Sequence, residues 1–122
     1  MSDQPKKLDF TPLVKSLVDK SNTGKIKWEP TADRKAFIAS VGGDTTFKIQ
    51  LVTITDVNDY GQLENVEVPQ LDMIDQKGHL LWDIRRKDVS STVLWDLFYI
   101  ARRIGNQIDD HIAGIMNALE KL

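Results

Sequence analysis

The apolar residues of this chain change period twice along its length, and that change restricts the fold more than any other feature. From Thr11 to Gly24 the spacing is helical: Leu13, Val14, Leu17 and Val18 share a face, and Lys15, Asp19 and Lys20 take the other. Thr11-Pro12 supplies a start signal, with Thr as N-cap and Pro at the first helical position. From Lys25 to Ile84 the period becomes two. Ile26 and Trp28 alternate with Lys25, Lys27 and Glu29, and Pro30 stops that strand. Segments 36–41, 45–53, 70–75 and 80–84 follow as strands, punctuated by Gly42-Gly43-Asp44 and Gln76-Lys77-Gly78-His79. After Arg85-Arg86-Lys87-Asp88, with Asp88 and Ser90 as cap candidates, helical spacing returns and predicts one helix from about Ser91 to Leu122. Leu94, Leu97, Ala101, Ile104, Ile108, Ile115 and Leu122 keep an a/d-like spacing, and Gly105 and Gly114 are places where it can bend.

This order predicts an α+β domain over residues 10–122: an N-terminal helix, a five-stranded antiparallel meander, and a long C-terminal helix packed on one sheet face. Residues 1–9 are polar and predict a disordered tail. A chain of 122 residues with 41% apolar and 28% charged side chains can bury a core of its own. Cysteine is absent, which removes disulfides, thiolate metal sites and cysteine nucleophiles. Sixteen basic against 18 acidic residues argue against nucleic acid or an anionic membrane as partner. A polar start and the lack of a long apolar run point to the cytoplasm.

Three segments carry a resemblance: Gly24-Lys25-Ile26-Lys27-Trp28-Glu29, Asp75-Gln76-Lys77-Gly78-His79-Leu80, and Leu94-Trp95-Asp96-Leu97-Phe98-Tyr99-Ile100-Ala101-Arg102-Arg103. In this order they resemble segments of a group of small bacterial proteins to which no activity is attached. The resemblance implies the same fold and a bacterial intracellular setting.

Several residue groups are candidates for chemistry. Asp56, Asn58, Glu64 and Glu67 fall at positions 1, 3, 9 and 12 of a calcium-loop spacing, with Gly61 at position 6. Tyr60 occupies position 5, where an oxygen ligand belongs, so a solvated acidic connection is the simpler expectation and the four residues are weak metal candidates. Asp109-Asp110-His111 is an acid–His cluster, but neighbours on a helix point about 100° apart and do not converge on one ion. Arg85-Arg86-Lys87 with Arg102 and Arg103 is a candidate basic patch, but Asp83, Asp88 and Asp96 lie among them and a solvated face is the simpler expectation. No nucleophile elbow, phosphate-cradling glycine loop or His-Glu-x-x-His occurs, so neither an enzyme nor a cofactor is expected.

Binding of another chain is the leading expectation. A helix from 91 to 122 would run about 47 Å, whereas five strands span only about 24 Å. The apolar stripe nevertheless continues through Ile112, Ile115, Met116 and Leu119, with His111 on the seam. Uncovered, such a stripe invites aggregation. Trp95, Tyr99, Arg102 and Arg103 form a second candidate surface of the residue types enriched at binding hot spots. The expected function is an adaptor, regulatory subunit or immunity-type inhibitor, with a protein partner or a homodimer through the C-terminal helix. The alternatives are a small-ligand or calcium sensor built on residues 56–67 and an enzyme with an unfamiliar site.

Overall fold

The computed structural model describes residues 8–89 and 92–122. Most of the expected tail, together with Ser90 as a cap and Ser91 as a helix start, lies outside them. Helix α1 spans Thr11–Asn22, and strands β1 (Glu29–Pro30), β2 (Ala36–Val41), β3 (Thr45–Val57), β4 (Leu63–Asp75) and β5 (Leu80–Ile84) follow. A 3₁₀ turn at Arg86–Asp88 leads to α2 (Val93–Gly105) and α3 (Ile108–Glu120). The strands pair in sequence order, each antiparallel to the next, so the fold class is α+β with a five-stranded meander.

Alternation sorts the sheet into two faces. Phe37, Ala39, Phe47, Ile49, Leu71 and Ile84 are buried on one face and share a core with Val14 and Leu17 of α1 and Leu94, Leu97, Phe98 and Ala101 of α2. One buried hydroxyl serves two partners. Buried Ser21 donates from Oγ to the Leu17 carbonyl (2.6 Å) and accepts the Trp28 indole N–H (2.9 Å), so one hydroxyl ties the end of α1 to the segment before β1. Without such a partner a buried indole N–H would cost about 1–3 kcal/mol.

Four sequence expectations need correction. The single C-terminal helix is two helices, and the break falls at Asn106-Gln107. The strand expected from Lys25 is reduced to Glu29-Pro30, although Ile26 and Trp28 are buried. Thr11 is not the N-cap of α1; its N–H donates to the Asp9 carboxylate (3.0 Å) and the cap position is Phe10. The acidic connection 56–67 is mostly strand. Residues 52–57 pair with 63–68 and lengthen the β3–β4 hairpin into a two-stranded arm. Thr53, Ile54, Thr55, Val57, Val66 and Val68 are β-branched and suit a pleated surface. Asn58-Asp59-Tyr60-Gly61 closes the arm, with Asn58 Oδ1 accepting the N–H groups of Tyr60 and Gln62 and Gly61 at φ 75°. Pro69 does not end β4, because it stands beyond Leu71↔Ile84, where β5 no longer flanks the outer edge of that strand.

Candidate partner-binding surface

The break between α2 and α3 decides what the C-terminal residues present. Gly105 closes α2 against the core: a Cβ there would lie 2.5 Å from Cδ1 of Phe37 on β2, so only glycine permits this approach. Two residues on, Gln107 adopts φ 52°, ψ 44°, the left-handed conformation that commonly follows a helix end. Its N–H donates to the Ile104 carbonyl (3.1 Å), and the Asn106 N–H donates to that of Arg102 (2.9 Å). Arg103 then reaches across the joint to Asp109, with Nε 3.1 Å and Nη2 2.9 Å from Oδ1. Both side chains are more than half exposed, so this pair orients α3 more than it stabilises the fold.

Beyond the joint α3 stands clear of the core, and none of its residues is buried. Ile108, Ile112, Ile115 and Leu119 follow one another at spacings of four and three and form a seam, with Met116 beside it and Leu122 just past the helix end. Exposure rises from 38% at Ile108, beside the joint, to 60% at Ile115 farther along the helix. His111 is exposed on the edge of this seam. The structure therefore brings Ile112, Ile115, Met116 and Leu119, with Ile108 of the same expected seam, onto one solvent-facing stripe, and leaves Leu122 exposed beyond the helix end.

Trp95 and Tyr99 divide between core and surface. Trp95 is half-buried, meets Phe98 edge-on at 6.3 Å, and stacks on Tyr99 at 5.7 Å with 27° between the rings. Tyr99 is 52% exposed. The Arg102 guanidinium lies over the rings of Tyr99 (5.3 Å) and Phe98 (5.4 Å), so the i, i+3 and i, i+4 spacings build a short cation–aromatic ladder on α2.

The acidic candidates do not converge. Asp56 and Glu64 are cross-strand neighbours, but Glu67 lies on the opposite sheet face, opposite Thr53, and pairs with Lys35. Asn58 Oδ1 is occupied by two backbone amides. Among the described residues no group of three or more His, Cys, Asp or Glu side chains is placed to hold a metal. The Lys35 pKa is raised, first by its hydrogen bond to Glu67; that of Asp56 is lowered, first by the Val57 N–H and then by Arg86. The expected basic patch is divided as well: Arg102 and Arg103 are engaged on α2, whereas Arg85, Arg86 and Lys87 line a cavity with Val52, Ile54, Val68, Pro69 and Gln70. No helix among the described residues is long and apolar enough to cross a membrane. No family model, curated protein or solved structure matches the chain.

Proposed function

We propose that the chain is a protein–protein interaction module, an adaptor, regulatory subunit or immunity-type inhibitor, that assembles through α3. The observation that carries this reading is the seam of α3, four aliphatic side chains and a methionine facing water on a helix with no buried residue, with Leu122 exposed just past its end. A 13-residue helix is marginal by itself, because nucleation is costly and little is gained per turn without tertiary packing. Docking supplies the missing packing.

The occupant we assign is a second copy of the chain. Covering the six apolar side chains would remove on the order of 700 Å² from water on each copy, close to the ~800 Å² per partner of a standard interface. Charge does not oppose self-pairing: the seam is flanked by His111, Met116, Ala118 and Asp109, and Asp109 already has Arg103 as counter-ion. Trp95, Tyr99 and Arg102 offer a smaller neighbouring contact on α2. The test is Ile115→Asp with Leu119→Asp, read by sedimentation and circular dichroism. A dimer that becomes a monomer with its sheet intact supports the reading. A parent chain that is monomeric at high concentration overturns the second-copy assignment.

A further inference from the structure

Arg85, Arg86 and Lys87 lie away from α3, and their surroundings describe a different site. On the sheet face turned away from the helices, the rungs Lys48↔Asp72 and Gln50↔Gln70 are polar, the next two, Val52↔Val68 and Ile54↔Val66, are aliphatic, and Asp56↔Glu64 is acidic. The aliphatic rungs thus form an island between polar ones. Val52, Ile54 and Val68 of this island, with Pro69 and Gln70, share a cavity of ≈ 340 Å³ with Arg85, Arg86 and Lys87.

The three cations are not equally committed. Arg85 is held by Asp83 at 2.7 Å, whereas Arg86 reaches Asp56 only at 3.4 Å and both partners are about half exposed. Lys87 has no carboxylate partner among the described residues. The rim therefore offers one unpaired ammonium and one loosely held guanidinium above an aliphatic floor. We propose that this cavity binds a small amphipathic anion, a carboxylate or phosphate head on a short aliphatic body, with the head on Lys87 and Arg86 and the body on Val52, Ile54 and Val68. Its volume is at the low end of the ~300–1,000 Å³ of ligand sites, which favours a small occupant. The lining contains no aromatic ring on which a base could stack, and a single-stranded nucleic acid would need one.

The experiment is an amide NMR titration of the full chain with octyl phosphate below its micelle threshold. Inorganic phosphate is the head-only control and 1-octanol the body-only control; octanoate tests whether either anionic head serves. The expected result is saturable shifts at Val52, Ile54, Val68, Arg86 and Lys87 with both amphipathic anions, and weak or absent shifts with the controls. Lys87→Ala and Arg86→Ala, both at exposed positions, should each weaken binding about tenfold, as loss of a charged hydrogen bond does. The Ile115→Asp, Leu119→Asp variant should bind unchanged, which separates this site from the assembly surface. Equal affinity for either control, shifts confined to the α3 seam, no saturable shift, or undiminished binding by both single variants would overturn the proposal. So would sedimentation of the protein with phosphatidylglycerol vesicles in place of saturable octyl phosphate binding, since the site would then serve a membrane surface.

Discussion

Helices α2 and α3 are each 13 residues long and each amphipathic, yet α2 buries six residues and α3 none. The difference does not come from helix propensity or apolar content. α2 lies over Phe37, Ile49 and Leu71 and closes on Phe37 through Gly105, whereas the left-handed turn at Gln107 carries α3 past the sheet. An apolar stripe of the same kind is core in one helix and free surface in the next, and one left-handed residue, Gln107, stands at the break between them.

The largest expected effect belongs to α2. Leu97→Ala removes a fully buried side chain and should cost about 2–5 kcal/mol in chemical denaturation. Gly105→Ala should cost about 1–3 kcal/mol, because the added methyl group forces the Phe37 ring to move. The α3 counterpart, Ile115→Asp with Leu119→Asp, should shift the stability of the monomeric fold by less than about 0.5 kcal/mol while abolishing self-association. A loss as large as that of Leu97→Ala would mean that α3 belongs to the core.

Smaller effects lie at the joint and on the arm. Gln107→Gly removes the steric penalty of a left-handed residue and should raise the melting temperature slightly, with a gain of no more than about 1 kcal/mol. A lower melting temperature would show that the Gln107 side chain supports the break. On the arm, the folded-state pKa of Asp56 is depressed, so its contribution is complete above the unfolded carboxylate range and fades as pH falls through the folded value. Arg86→Ala should move the Asp56 carboxyl titration, followed by carbon NMR, to higher pH. An unchanged titration would leave the Val57 N–H as sole cause.

Local signals made β2 and β5 legible, because alternation there ends at glycine turns or a basic run that mark both limits. The arm was harder to read: the acids at 56, 59, 64 and 67 suggest solvation, although β-branched residues alternate among them. The helix break had almost no local signal. Gln107 is an ordinary helix former, and Gly105 permits a bend without demanding one. What makes glycine necessary at 105 is Phe37, 68 residues earlier in the chain, and a contact at that separation has no periodicity to betray it. The apolar stripe of α3 was visible in sequence for the same reason that the core face of α2 was, and only the joint separates them.

The Phe37–Gly105 contact also works mechanically. It is a fixed point in the sheet at which α2 ends, and α3 extends from it as an arm through Asn106 and Gln107. A helix of 13 residues reaches about 20 Å, so a tilt of a few degrees at the joint displaces Leu122 by an ångström or more. The aim of the α3 seam therefore depends on the Phe37–Gly105 contact together with the Gln107 turn and the Arg103–Asp109 pair, and a change at Phe37 is expected to shift a surface beyond its own contact.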